Sequence, residues 1–477
     1  MTQEPQVRRV IIIGGGMAGM ATAYYLEKEA KQRGLLLRYT LLEAGSRLGG
    51  KMLTEYVDGF TIEAGPDSFI TQKPAALDLA LELGLEDSLI PTNEENKGVY
   101  VYHGGRLKAL PEGVMLIVPT KVAPFVLSSL FTPWGKLRMG MDLVLPPRRD
   151  DGDETLAEFI RRRLGEEALD RLAEPLMSGI YNAEAEHQSI MATFPRFRAM
   201  EKRHGSLIRG MLAARKQPRR AGNGRTRART VFMSLRGGVG ELAARLGAAL
   251  SGEVRLQAEA RRVWREGAGY KVALKEGEVL EADAVVVATP AQAAAALLED
   301  VRSDLSAALR RLRTVSTGTV SLAYRQQDFP RGLKGFGFVI PRSARRRINA
   351  VTWSSLKWSY RAPDGYVLLR VFFGGSRHPE VFALDDDRLL ALVQSELAVT
   401  MGLAAKPVLS RIYRWPNASP QYDVGHLERV AALEAACPAG LYLTGSPYRG
   451  VGLPDCVQQG RETAVRVMAE LWPARGR

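Results

Sequence analysis

Arg9-Val10-Ile11-Ile12-Ile13-Gly14-Gly15-Gly16-Met17-Ala18-Gly19 is the stretch that decides the fold. Val10 to Ile13 is a β-branched run, the pattern of a parallel strand buried on both faces. It leads directly into Gly14-x-Gly16-x-x-Gly19, and the chain then turns helical through Met20 to Lys28. Strand, glycine turn and helix in that order are the context a dinucleotide-binding fingerprint requires. Gly14 permits the tight turn, Gly16 lets the backbone approach a pyrophosphate, and Gly19 lets helix and strand pack closely. The N–H groups around Gly15, Met17 and Ala18, at the positive end of the helix dipole, then hold the anion. A second strand, Leu36 to Leu42, ends in Glu43. Glu43 lies somewhat farther from Gly19 than the usual spacing of about 20 residues for the acid that binds ribose hydroxyls. The charged helix end Glu27 to Arg33 accounts for the extra length.

The residues after Glu43 select the dinucleotide. Ala44-Gly45-Ser46-Arg47-Leu48-Gly49-Gly50-Lys51 places basic side chains and further glycines just past the ribose acid. That suits a second contact with the pyrophosphate, made by Ala44, Arg47, Gly50 and Lys51; a solvated basic turn is the alternative. With this extension the sequence resembles the flavin-containing amine oxidase and phytoene desaturase superfamily, which implies FAD rather than a nicotinamide.

At 477 residues the chain is long enough for two or three domains. Apolar content of 46% and charged content of 25% are those of a globular protein. Cys437 and Cys456 are the only cysteines, which excludes a disulfide framework and a cysteine metal cluster and suits a reducing cytoplasm. Met1 to Arg9 has no apolar signal core, so secretion is not expected. The net charge of +14 would attract an anionic partner, but no nucleic-acid motif accompanies it. Between Arg196 and Arg229 Glu201 is the only acid. This basic run, with its loop 215–229, reads as a solvated segment, with acidic headgroups or a polyanionic substrate as the sharper alternatives.

Asp58-Gly59 signals a hairpin. Gly65-Pro66-Asp67-Ser68-Phe69 follows, a loop of small residues whose backbone could face a flavin ring. It resembles the "ERGPDSF" segment of the protoporphyrinogen oxidase family, with Ala64 in place of Arg. The resemblance associates Lys73 with substrate propionates; by itself Lys73 is an exposed loop charge. Ala75 to Leu85 is an amphipathic helix. Leu107 to Leu145 is apolar, but Pro119, Lys121 and Pro124 interrupt it, and a membrane span needs about 20 uninterrupted apolar residues. It reads as core and pocket wall, with a surface dipping into one leaflet as the alternative. Thr155-x-x-Glu158 is a capping box and Gly165 a helix stop. Glu174-Pro175-Leu176-Met177-Ser178-Gly179-Ile180-Tyr181 and Ser189 to Pro195 resemble the same family's "EPLLSGIYAGD…LSLMATFP" block, with Asn182-Ala183-Glu184 in place of Ala-Gly-Asp. A flat macrocycle would lie against such a segment at Ile180.

Helix Glu241 to Leu250 and strands Val254 to Leu256, Ala260 to Trp264 and Asp283 to Ala288 return the chain to the first domain. In the resembled superfamily the backbone at Val263 pairs with the adenine edge. Val301 to Pro407 forms a strand-rich lobe with strands at Thr319 to Tyr324, Gly337 to Ile340, Ala350 to Trp353 and Tyr366 to Phe373, and a helix at Asp385 to Met401. Arg345-Arg346-Arg347 reads as solvated. Gly440 to Ser446 is a strand closing on Gly445; Tyr448-Arg449-Gly450-Val451-Gly452-Leu453-Pro454-Asp455-Cys456 leads into helix Val457 to Leu471. A glycine-rich loop opening a helix would stabilise an electron-rich flavin. The loop resembles the "GVGLPDCIxxG" signature of protoporphyrinogen oxidases, and Trp415-Pro416 resembles the other flavin-loop contact, so Gly445, Val451, Gly452, Leu453 and Trp415 join the expected FAD contacts.

The resemblance runs from Val10 to Ala469 and is to the coproporphyrinogen and protoporphyrinogen oxidases of the bacterial, oxygen-dependent, soluble type. It implies an α/β fold: a Rossmann-type FAD-binding domain (1–70, 231–300, 411–477), a strand-rich substrate domain (71–95, 205–230, 301–410) and an inserted helical domain (96–204). It implies six-electron oxidation of coproporphyrinogen III in haem biosynthesis, by hydride transfer to flavin, with dioxygen leaving as hydrogen peroxide. Protoporphyrinogen IX is the alternative substrate, and an amine oxidase or carotenoid desaturase the alternative class. No catalytic acid or base and no metal is assigned; His187 and His204 read as structural or surface groups. The expected setting is the cytoplasm, with peripheral contact at the inner membrane face and hand-over of product to a chelatase.

Overall fold

β1 (Arg8–Ile13) is the middle strand of a five-stranded parallel sheet, in a computed structural model that describes residues 7–115, 117–119, 121–216 and 230–473. On one side it pairs with β2 (Leu37–Leu42), which pairs with Glu253–Arg255; on the other with Ala284–Val287, which pairs with Leu441–Leu443. Val10 to Ile13 and Ala284 to Val287 are buried on both faces, which is why both read as unbroken apolar runs. Helix α1 (Met17–Arg33) covers one face together with the C-terminal helix Leu453–Leu471. The two helices touch through Gly460, where a Cβ would lie 2.8 Å from the Ala18 carbonyl oxygen. The other face carries an antiparallel sheet of Ala260–Glu266, Gly269–Leu274 and Val279–Ala282, with helix Ala291–Leu297.

Both covering helices are longer than their patterns predict. α1 starts at Met17 and stops at Gly34, which adopts φ 63°. The C-terminal helix starts at Leu453, because Pro454 is tolerated in a first turn. Thr54–Val57 and Phe60–Glu63 form the expected hairpin, with Asp58 and Gly59 at φ 49° and 79°, the double left-handed geometry of a two-residue turn.

The second sheet has seven strands, in the order Leu409–Pro420, Thr314–Arg325, Tyr366–Gly374, Ala350–Trp353, Gly337–Val339, Tyr100–His103 and Arg106–Ala109. Four features differ from the expected layout. Residues 100–109, expected in the helical segment, are the last two strands of this sheet, Tyr100–His103 paired on both sides and Arg106–Ala109 at the edge, each too short to show a period. Residues 411–420 pair with Thr314–Arg325, in this sheet and not in the parallel one. Helix Ala75–Glu82 buries Ala76, Leu79 and Ala80 in the core shared with α1 and the C-terminal helix. Helix Leu207–Lys216 buries Leu207 and Met211 in the helical core. Most of the basic loop 215–229 lies outside the described residues. Arg346, expected to be solvated, instead bonds the buried Glu396 at 2.7 Å.

The helical region gathers Leu156–Arg163, Glu174–Tyr181 and Pro195–His204 around Phe159, Leu172 and Phe197. The capping box forms: Thr155 Oγ1 accepts from Glu158 N at 3.0 Å and Glu158 Oε2 from Thr155 N at 2.9 Å. Only part of the apolar segment 107–145 is core. Phe125, Leu130, Phe131 and Met139 are buried, whereas Leu127, Trp134 and Val144 are 84%, 78% and 77% exposed. Among the described residues no helix is long and apolar enough to cross a membrane.

Candidate active site

One end of the site is the start of α1. No side chain caps it, and no acid occupies its first turn, so its leading N–H groups face outward. Gly16 is extended (φ −74°, ψ −178°), and a Cβ added there would meet nothing within 4 Å. Gly19 and Gly14 differ: a Cβ on Gly19 would fall 1.9 Å from Gly14 O, and one on Gly14 2.7 Å from Ala288 O. The open side at Gly16 is therefore space kept free of protein. Glu43 sits beside it at the tip of β2, accepting from Gly15 N through Oε2 and from Gly45 N through Oε1, both at 2.7 Å.

Arg47 donates to the carbonyls of Leu48, Met52 and Gly50 at 3.0, 3.0 and 2.6 Å. Its guanidinium shapes the loop that carries Gly50 against Gly16, where a Gly50 Cβ would stand 3.2 Å from Gly16 Cα. Gly65 packs on the next residue: its Cβ would lie 1.9 Å from Lys51 O. Lys51 opens to solvent although protein surrounds it, and that desolvation lowers its ammonium pKa. Its Nζ donates to Ala418 O at 2.5 Å. Gly16, Gly50, Lys51, Gly65 and Ala418 thus follow one another in contact from the parallel sheet to the seven-stranded sheet, and the candidate cleft follows that line. Ala44 is exposed at its rim. Val263 is buried in the antiparallel sheet, in the same core as Leu42 at the end of β2.

At the far end the loop Ala64–Ser68 is held from several directions. Trp415 Nε1 donates to Ala64 O at 2.9 Å, Thr319 Oγ1 to the same oxygen at 3.3 Å, and Arg370 to Gly65 O. The Asp67 carboxylate accepts from Lys357 Nζ at 2.8 Å, Trp358 Nε1 at 3.1 Å and Ser68 Oγ at 2.7 Å. Burial alone would raise its pKa; Lys357 and Arg370 outweigh burial and hold it well below the carboxylate range. The side chains of Asp67 and Ser68 hold the loop, and Gly65 and Pro66 are half-buried within it.

The C-terminal helix brings a second helix start to this end, with Asp455 in its first turn. Gly445 lies against α1, its Cβ position 3.4 Å from Ala18 Cβ, and Gly450 adopts φ 129°. Asp455 accepts from Gly452 N at 3.3 Å, and Val451 packs against the helical core. Tyr422 OH donates to Ser446 O at 2.6 Å and accepts from Gly450 N at 2.8 Å. His426 stacks on Tyr422 with centroids 4.0 Å apart and donates from Nε2 to Tyr448 O at 2.7 Å. Burial pushes the imidazole pKa down to about 4, so it is neutral. Lys73 reaches the same helix start, pairing with Asp455 at 2.6 Å. Ile180 is 54% exposed beside the buried Tyr181, whose carbonyl accepts from Gln421 Nε2 at 3.1 Å. Asn182, at φ 50°, is tied to Ser376 and Ser419.

An extended dinucleotide fits this donor set. Gly14 to Gly19 would hold its pyrophosphate, Glu43 its ribose, and Gly65, Trp415 and Val451 to Leu453 its ring. Lys357, Trp358, Arg370, Tyr422 and His426 were not singled out in the sequence. Each is a lone residue outside any motif, and only tertiary contacts bring it to the cleft. Among the described residues no group of three metal-ligating side chains exists.

A profile of the flavin containing amine oxidoreductases matches residues 17–468. Coproporphyrinogen III oxidase of Bacillus subtilis (strain 168) is 37% identical over 461 residues, covering 95% of this chain and 96% of that protein. The chloroplastic protoporphyrinogen oxidase of Nicotiana tabacum is 30% identical over 481 residues, covering 96% and 85%. A crystal structure from Exiguobacterium sp. 255-15, named as a candidate protoporphyrinogen oxidase, superposes with TM-score 0.86 at 34% identity, covering 98% of this chain and 100% of that one.

Proposed function

The chain belongs to the flavin-containing amine oxidoreductases, and within that family we propose that it oxidises coproporphyrinogen III to coproporphyrin III, using FAD and dioxygen. The observation that carries this reading is the ion pair that brings Lys73 to Asp455 in the first turn of the C-terminal helix, with the exposed apolar Ile180 next in sequence to Tyr181, whose phenol is within electrostatic reach of Asp455. Near-full-length similarity to coproporphyrinogen III oxidases supports the choice of substrate. When bound, the flavin supplies a hydride acceptor whose electrons pass to dioxygen, giving three hydrogen peroxides per porphyrin.

The chain's own contribution is binding and electrostatics. The start of the C-terminal helix favours negative charge nearby. Tyr422 fixes that start through Ser446 and Gly450, and the neutral His426 braces Tyr422. Trp415 and Arg370 hold the Ala64 and Gly65 carbonyls, setting the height of the loop floor. Ile180 and Tyr181 give the macrocycle an apolar wall that excludes water, and Lys73 attracts a propionate.

The exposed apolar side chains of Leu127, Trp134, Leu137 and Val144 support peripheral contact with the inner face of the membrane from a cytoplasmic protein. Sedimentation with anionic vesicles, lost in W134S/L137S, tests it. A chelatase is the proposed recipient of the product.

The function is tested by mixing the yellow protein anaerobically with coproporphyrinogen III or protoporphyrinogen IX. Rapid flavin bleaching by the first and slow bleaching by the second, followed by porphyrin fluorescence on admitting air, is expected. The reverse preference assigns the protoporphyrinogen step. Failure of both rejects porphyrinogen oxidation.

A further inference from the structure

Arg196 is a half-buried guanidinium without an acid. It opens helix Pro195–His204, donates from Nη1 to Gln72 Oε1 at 3.2 Å, and lies 5.6 Å from the Phe197 ring centroid. Among the described residues no carboxylate stands within ion-pair distance of it. Its neighbours in the helical region behave otherwise: Arg162, Arg163, Arg171 and Arg198 each hold a carboxylate. Its place in the fold is also unfavourable, because the first turn of a helix prefers anions to cations. Desolvation by the surrounding protein lowers its pKa, with only the Tyr181 phenol opposing. A permanent charge is thus held where water does not fully solvate it and no protein acid neutralises it, which is the condition of an anion receptor.

The surroundings identify the anion. Gln72, which Arg196 grips, precedes Lys73, and Lys73 bonds Asp455 at 2.6 Å. Arg196 and Lys73 therefore meet at one loop, Lys73 through the chain and Arg196 through its bond to Gln72, and the Tyr181 phenol lies within electrostatic reach of Arg196 and Asp455. The exposed Ile180 immediately precedes Tyr181 in the chain. An apolar surface flanked by two cations from separate elements suits a flat hydrophobic molecule bearing carboxylates.

Resting on the porphyrinogen reading, we propose that Arg196 and Lys73 form a carboxylate clamp, with Arg196 the specificity-determining member that takes a substrate propionate in its planar fork. Lys73 shares its ammonium between Asp455 and the same carboxylate; Arg196 supplies the uncompensated charge. No proton moves, so the contact selects for anionic substituents without entering the chemistry.

The test is equilibrium binding to the flavin-loaded protein, read by quenching of protein fluorescence, with coproporphyrin III and its uncharged tetramethyl ester as probes. R196Q is expected to weaken the acid roughly tenfold or more, as for loss of a charge-assisted bond, and to leave the ester unchanged. R196K should recover part of the loss, since it keeps the charge without the fork. An unchanged flavin spectrum in both variants controls for folding. Acid affinity in R196Q within twofold of the parent, or equal weakening of acid and ester, overturns the clamp while leaving the proposed function intact. If the parent binds neither porphyrin and no porphyrinogen bleaches its flavin, the functional reading falls and the clamp with it.

Discussion

Two glycines three residues apart should fail in opposite ways. Gly16 is extended at φ −74°, and a Cβ there meets no protein atom within 4 Å. Alanine accepts that backbone, so G16A should leave the stability of the flavin-free protein within about 0.5 kcal/mol of the parent. The methyl group would occupy space that only a ligand fills. Holding a pyrophosphate off the turn removes one or two charge-assisted hydrogen bonds, each worth about 1.5–3 kcal/mol, which is roughly 10- to 100-fold in FAD affinity per bond. G19A puts its methyl 1.9 Å from Gly14 O, inside the protein. It should destabilise the flavin-free protein by about 1–3 kcal/mol through forced separation of strand and helix. Urea unfolding of the stripped proteins and fluorescence titration with FAD read both quantities separately. The reasoning is refuted if G16A unfolds as readily as G19A, or if its FAD affinity stays within threefold of the parent.

The pH dependence should hide two opposed titrations. Burial raises the Glu63 carboxyl to about 7; Arg361, at 3.8 Å, does not prevail because it donates to Ser234 Oγ and two carbonyls. The folded state therefore keeps a proton that the unfolded chain loses above about 4.5, and stability falls as pH rises from about 4.5 to 7. His426, pushed down to about 4 by burial, works the other way, since the unfolded chain takes up a proton first and stability falls as pH drops from about 6.5 to 4. Thermal unfolding between pH 4.5 and 6.5 should change little in the parent, rise with pH in E63Q and fall with pH in H426Q, each by up to about 1.4 kcal/mol per pH unit; parallel curves for all three proteins would refute it. Y422F leaves the buried Gly450 N–H and Ser446 carbonyl without their partner, which should cost about 1–3 kcal/mol in unfolding free energy and weaken FAD in the same titration.

The parallel sheet was legible because two of its strands carry the β-branched runs Val10–Ile13 and Val285–Val287 and its turn needs glycine. The hairpin at Asp58-Gly59 and the capping box at Thr155 were legible for the same reason: each is a local rule with one solution. The two ends of the cleft were visible as motifs, but what holds them was not. Arg370 on a strand of the seven-stranded sheet, and Lys357 and Trp358 in the connection between two of its strands, reach the Ala64–Ser68 loop across some 300 residues of sequence. No periodicity announces such a contact. Residues 100–109 do not read as strands because a four-residue strand carries too few alternations to outweigh an apolar neighbourhood. The Leu127–Val144 face was read as core because composition reports apolar content without reporting which side of it meets water.

The strands flanking β1 on one side are made last. β1 and β2 are complete by residue 42, but Ala284–Val287 and Leu441–Leu443 must join before that side of the sheet is closed. At about 5–20 residues per second the ribosome takes roughly 12–50 s to reach Ala284–Val287, the partner of β1 on that side. Throughout that interval one side of β1 offers unpaired backbone on a run of isoleucines, the kind of edge that recruits other chains. The helix start that completes the far end of the cleft emerges later still, at Leu453. A nascent chain therefore needs shielding for most of its synthesis, and it gains a full-length binding cleft only after nearly all of it has been made.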